Sequence, residues 1–172
     1  MSAERSDRAR RPSKARAWAD RMMIRMLRRG RGPSFLQLLT APGRVSGQPR
    51  TTPVAPVRQD DQVWVVAPFG VVSWVRNVRA AGRLELHRGG DHQAFAAREL
   101  DAAEAVPVLR AYLSMPSARF VRGDFDVTSR SSDDAIAAEA PRHPVFALSP
   151  VAATGGDAGA QSRVSPVNGE ER

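Results

Sequence analysis

The residues best placed to do chemistry lie in one stretch, Thr40-Ala41-Pro42-Gly43-Arg44-Val45-Ser46-Gly47-Gln48-Pro49-Arg50-Thr51-Thr52-Pro53. Arg44 and Arg50 stand six positions apart within it. A guanidinium is a planar fork that donates parallel hydrogen bonds, which suits phosphate or carboxylate. Gly43 and Gly47 let the backbone approach a bound group closely or adopt positive φ. Pro49 restricts Gln48 to extended backbone and so helps to aim Arg50. On these residues alone two readings stand. Either the turn presents cations and amide groups to an anion, or it is a basic hairpin turn with solvated arginines.

Much other chemistry is excluded. The chain has no cysteine, which removes disulfides, zinc–thiolate sites, iron–sulfur clusters and cysteine nucleophiles. Its three histidines, His87, His92 and His143, have no metal-ligand spacing, so no metal is expected. No Ser-His-Asp ordering stands out. A GxGxxG motif in βαβ alternation is absent, which argues against the commonest nicotinamide-binding fold.

The formal charge of +8 is unevenly placed. Residues 1–32 hold 11 Lys or Arg and 3 Asp or Glu, and the remaining residues hold 15 of each sign. The basic excess therefore belongs to an N-terminal arm, and specific nucleic-acid binding by the body is not expected. No run reaches the roughly 18 apolar residues of a membrane span. No apolar signal-peptide core is present either, so a cytoplasmic location is expected.

The elements that must hold the turn follow from pattern. Residues 1 to about 14 read as disordered. Trp18, Met22, Met26 and Leu27 recur at helical spacing, widened by Met23 and Ile24 and interleaved with arginines, up to the breakers Gly30-Arg31-Gly32-Pro33. This helix reads as packed on the body, as a membrane-surface helix, or as a nucleic-acid binder. Strands are expected over Phe35–Leu39, Thr51–Arg58 and Val63–Ala67, the second an edge or bulged strand because of Pro53 and Pro56. Val63–Ala67 is expected to be buried on both faces.

Ser73 is expected to cap a short helix over Trp74–Ala81 that Gly82 ends. Leu84–Arg88 and His92–Leu100 pair across Gly89-Gly90-Asp91. Asp101 caps a helix whose apolar positions include Val106, Leu109, Tyr112 and Leu113. Residues 117–134 read as loop, Asp133–Ala140 as a short helix and Val145–Leu148 as the last strand. The tail from about Val151 reads as disordered. The sum is a mainly β chain of about six antiparallel strands closed into a small barrel, with an N-terminal helix and one or two more. The expected units are an arm (1–32), a barrel domain (33–150) and a tail (151–172).

The turn, followed by Val65-Val66-Ala67 and by Trp74-Val75-Arg76-Asn77-Val78-Arg79-Ala80, resembles the deazaflavin (coenzyme F420)-dependent nitroreductase family. The resemblance runs from about Leu38 to Leu113. Several elements in the right order make it fairly specific. It implies a split β-barrel and an oxidoreductase that passes hydride from reduced F420 to an electron-poor small molecule: an activated alkene, quinone or nitroaromatic. By the same resemblance, Arg44 and Arg50 grip the cofactor's phosphate and acidic tail, with Ser46, Gly47, Thr51, Pro53 and Ala67 around it. Trp74 lies beside the deazaflavin, Asn77 makes a polar contact and Arg79 a further basic one.

The chain departs from the pattern at Val45, where a second basic residue is usual, and at Phe69, where a lysine often lies. Arg76 is a candidate to compensate. Tyr112, the only tyrosine, is by elimination the candidate proton donor, and its alternative is a core residue with its hydroxyl at the surface. Two further readings remain open: an FMN-binding split barrel, and a non-catalytic F420 carrier. On each of these readings the arm, residues 13–32, is a candidate for peripheral contact with the inner face of the membrane. Split barrels often pair, so a homodimer is expected.

Overall fold

The computed structural model describes residues 14–151. The expected disorder of residues 1–13 and 152–172 lies outside the described residues. Along the described chain run α1 (Lys14–Arg28), β1 (Gln37–Pro42), β2 (Pro49–Val54), β3 (Val57–Gln59), β4 (Gln62–Val66), α2 (Ser73–Ala81), β5 (Arg83–Arg88), β6 (Asp91–Glu99), α3 (Ala102–Ser114), α4 (Asp133–Glu139) and β7 (Val145–Pro150).

The seven strands form one antiparallel sheet in the order β2-β1-β5-β6-β7-β4-β3. Its two end strands, β2 and β3, are consecutive in the chain and joined only by Ala55-Pro56. The polypeptide therefore steps from one edge of the sheet to the other, which curls the sheet into a split barrel. This corrects the single strand expected over Thr51–Arg58. Proline has no N–H for a ladder, so the chain bends at Pro56 and its two halves pair at opposite ends of the sheet. The bend also raises the strand count from about six to seven. Across the seam, Arg58 of β3 donates to Oε1 of Gln37 in β1 at 3.3 Å.

Other boundaries move less. The first strand begins at Gln37, not Phe35, and runs through Pro42 straight into the arginine turn. Val72, not Ser73, is the N-cap of α2, and Ser73 is the first residue of the helix. The segment expected as loop after α3 contains two short 3-10 turns, Pro116–Phe120 and Arg122–Asp124.

Strand alternation divides the interior. Val63 and Val65 point into the barrel with Leu39, Leu86, Phe95 and Phe146, where Val75 and Val78 of α2 plug the lumen. Trp64 and Val66 point outward against α3 and α4, in a second cluster with Leu109, Tyr112, Phe125 and Ile136. β4 is thus buried on both faces, as its unbroken apolar run requires. Asp101 caps α3 through a full capping box with Glu104 (2.8 and 3.1 Å).

α1 packs on the outer face of the sheet. Leu27 is fully buried there and its carbonyl accepts the Gly89 N–H at 2.9 Å. The Arg88 guanidinium then fastens the linker behind α1, donating to the carbonyls of Gly32 (2.9 Å), Pro33 (2.7 Å) and Leu36 (2.8 Å). The face expected from sequence is divided in two. Leu27, with half-buried Met23 and Ile24, turns inward. Trp18, Met22 and Met26 form an outward stripe, exposed by 60%, 43% and 36%.

Candidate active site

The site is built on the β1–β2 turn and on α2. The turn is closed by the Gly43 N–H donating to the Gln48 carbonyl (2.8 Å) and the Gly47 N–H to the Gly43 carbonyl (2.7 Å). The Ser46 hydroxyl accepts the Gln48 N–H at 3.3 Å. Gly47 has φ +68°, a conformation that costs a residue with a side chain about 1 kcal/mol or more. Gly43 is needed for space: a Cβ there would lie 3.1 Å from both the Gln48 carbonyl oxygen and the Ser46 hydroxyl, and 3.4 Å from Cγ of Arg50.

α2 lies against the inner side of this turn. Trp74 and Asn77, three residues apart, share a helix face. Trp74 is half-buried at the rim of the barrel core, its ring 5.8 Å from that of Phe146. Oδ1 of the buried Asn77 accepts the Arg44 main-chain N–H at 3.2 Å and lies 3.5 Å from the Arg44 Nη1. The turn is thereby tied to a helix 33 residues away in sequence.

Exposed donors remain. Among the described residues, the amides of Val45 and Ser46 donate to no protein acceptor. Among the described residues, Arg44 and Arg50 form no ion pair with a carboxylate. Two such guanidinium groups and two adjacent amides without a protein acceptor, on a turn whose closing atoms leave room only for glycine at position 43, make a cradle suited to a phosphate or carboxylate. The residues present therefore fit an anionic cofactor tail.

The remaining expected site residues fall into three places. Ala67 is wholly buried, its N–H donating to the Pro144 carbonyl at 2.9 Å, and it helps wall the barrel core behind Trp74. Thr51 turns to the opposite face of the sheet. There its hydroxyl meets that of Thr40 (2.8 Å), which in turn meets Nε2 of His87 (3.1 Å), and the His87 ring stacks on His92 at 4.8 Å. Pro53 sits opposite Leu38 in the β1–β2 register, away from the turn.

Arg79 is engaged elsewhere. It makes a two-pronged pair with Glu99 (2.7 and 2.6 Å), whose carboxylate raises the guanidinium's pKa further. Tyr112 is not brought to the turn. It lies in the second core cluster, its ring 6.1 Å from Phe125, and burial pushes its hydroxyl pKa up to about 12.

Sequence reasoning missed three arrangements: the Asn77 tie to Arg44, the Arg88 clamp, and a buried Glu139–His143 pair (3.0 Å) stacked under Phe125 at 3.9 Å. The last had a signal in its i, i+4 spacing at the end of α4. The other two join residues more than thirty positions apart and had none.

Residues 23–131, well over half of the chain, match the model of the F420H2-dependent quinone reductase family. No curated protein matches the chain. Among solved structures, one described as a domain-swapped dimer is 21% identical and aligns over 77% of this chain and 98% of its own, with a TM-score of 0.50. A second, an F420-H2 dependent reductase (FDR-A), is 22% identical over 67% of this chain and 95% of its own, with a TM-score of 0.49. At that identity the first supports the split-barrel fold and no more. Of the two cofactors the sequence left open, the family match selects the deazaflavin. The chain belongs to the F420H2-dependent quinone reductase family and is an oxidoreductase that uses coenzyme F420 for hydride transfer.

Proposed function

We propose that the electron acceptor is a lipophilic quinone met at an anionic membrane surface. The single observation that carries this is the outward face of α1. Trp18, Met22 and Met26 stand in line at i, i+4 and i+8, all three exposed, and are flanked by exposed Arg21, Arg25 and Arg29. Apolar side chains beside cations are what the boundary of an anionic bilayer attracts, worth about 1 kcal/mol per basic residue near the surface. The protein is then cytoplasmic and peripheral at the inner face of the membrane. No described helix is long and apolar enough to cross a membrane.

In this reading Arg44 and Arg50, with the Val45 and Ser46 amides, hold the cofactor's phosphate and acidic tail. Bound reduced F420 supplies the hydride that the acceptor takes up. Trp74 offers a half-buried aromatic face at the mouth of the barrel, where it limits water and orients a flat ring. Arg79 contributes little to the grip while Glu99 holds it. Tyr112, buried and with a raised pKa, is kept as proton donor only if its removal lowers turnover. A homodimer is proposed on the precedent of the relative described as a domain-swapped dimer.

The test is anaerobic oxidation of reduced F420 by the full chain, with a water-soluble quinone and with a long-chain quinone in anionic vesicles. Both are expected to be reduced. Trp18→Ser/Met22→Ser should lose the vesicle-borne reaction and keep the soluble one. Cofactor binding without turnover on either quinone would make the protein a carrier. Equal vesicle rates for the double variant would remove the membrane role.

A further inference from the structure

We infer that Asn77, beyond the polar contact that the resemblance implies for it, is a positioning residue that holds the anion-binding turn in its receptive shape. The inference rests on the proposed grip of the turn on the cofactor's acidic groups.

Residues 44–50 are all exposed, so the turn gains little order from packing. Asn77 is 5% exposed and stands between fully buried Val75 and Val78 of α2, which are set in the barrel core. It is therefore a rigid anchor beside a soft turn. The orientation of its amide follows from chemistry. A main-chain N–H can only donate, so the group facing the Arg44 nitrogen at 3.2 Å is the carbonyl oxygen and not the NH2. Nδ2 is then left without a protein acceptor among the described residues. It still reaches solvent, because the only buried side-chain nitrogen or oxygen there without a partner is Nδ1 of His143.

With the Arg44 amide taken up by Oδ1, the next two amides, of Val45 and Ser46, are left without a protein acceptor among the described residues. Oδ1 thus engages one donor of the turn and leaves the other two for a ligand.

Two substitutions test this role. Asn77→Ala removes both the acceptor and the donor. Asn77→Asp keeps an acceptor for the Arg44 amide but replaces the donor with a charged oxygen that competes for Arg44. The measurements are amide hydrogen exchange of the turn, the Kd for F420 from cofactor fluorescence, and displacement by inorganic phosphate.

Asn77→Ala is expected to speed exchange in the turn and to raise the Kd about tenfold, the size of one lost hydrogen bond to a charged ligand. Asn77→Asp should keep slow exchange in the turn and yet bind F420 and phosphate more weakly than Asn77→Ala. A Kd unchanged in both variants overturns the inference, as does turn exchange unaffected by Asn77→Ala. If the wild type does not bind F420, the proposed function fails, and the exchange comparison still decides the positioning role.

Discussion

Replacing Gly43 by alanine tests whether the turn works as a cradle of fixed shape. Gly43 is not in the left-handed region, so its backbone accepts alanine and only space opposes the change. The new Cβ would meet the Gln48 carbonyl oxygen and the Ser46 hydroxyl at 3.1 Å, a few tenths of an ångström inside ordinary contact. Gln48 cannot retreat freely, because its oxygen accepts the 2.8 Å bond that closes the turn. Crowding of this kind costs about 1–2 kcal/mol, and the stiffer unfolded chain returns about 0.4–1. A net loss of about 1 kcal/mol lowers the Tm of a domain this size by about 2–4 °C.

The functional effect is expected to be larger, because the displaced atoms are those that shape the cradle. Thermal denaturation and fluorescence titration with F420 should show this small Tm loss together with a Kd raised about tenfold or more. Gly47→Ala is the control. Its φ of +68° brings a comparable stability cost, but nothing lies within 4 Å of the added carbon, so affinity should change much less. Gly43→Ala binding as tightly as wild type, or Gly47→Ala harming binding more, would refute the reasoning.

Other outcomes follow from named groups. Tyr112 is the only tyrosine, so ultraviolet titration reads it directly and should give a midpoint near 12 in place of 10. Because the raised pKa belongs to the folded state, its contribution to stability is full below pH 10 and is lost between about pH 10 and 12. Tyr112→Phe should flatten that limb and leave quinone reduction intact, and a large fall in turnover would restore the tyrosine as proton donor.

His87 has its pKa lowered by burial, then by the charges of His92 and Arg28, against the opposing pull of Glu85. The unfolded chain therefore takes up this proton first. Stability is complete above about pH 6.5 and falls as the pH drops toward the folded pKa, a slope that urea denaturation should find shallower in His87→Gln. On anionic vesicles, fluorescence of the wild type should shift to the blue as Trp18 enters the interface, and Trp18→Ser should abolish the shift. A shift that persists would place the contact elsewhere.

Much of the fold was legible because local chemistry dictates it. Asp101 wrote a helix start, which the structure completes as a capping box with Glu104, Gly82 wrote a helix end, and Gly89-Gly90-Asp91 wrote a hairpin, in which Asp91 pairs with Arg88 so that the loop is one residue shorter than expected. The unbroken run Val63-Trp64-Val65-Val66 told correctly of a strand buried on both faces. The Thr51–Arg58 strand misled because pairing is decided by partners distant in sequence. Nothing in those eight residues states that their halves join opposite ends of a sheet.

α1 misled in another way. Helical spacing reports which residues share a face, and Trp18, Met22 and Met26 do share one. It does not say that the buried face is the one through Leu27. At the site, the arginine turn was visible from its glycines and guanidinium groups. The engagement of Arg79 by Glu99, twenty residues on, depends on strand β6 returning beside α2 and had no local trace.

The most direct test of the account is a titration of the full chain with F420, followed by cofactor fluorescence, in wild type and in Arg44→Ala, Arg50→Ala and Arg79→Ala. Saturable binding is expected in the wild type. Each of the first two substitutions should weaken it by about ten- to a hundredfold, the worth of a charged hydrogen bond, while Arg79→Ala stays within about threefold. Tight binding that survives the loss of Arg44 and Arg50, or that depends chiefly on Arg79, would contradict the assignment of the turn as the cofactor's anchor.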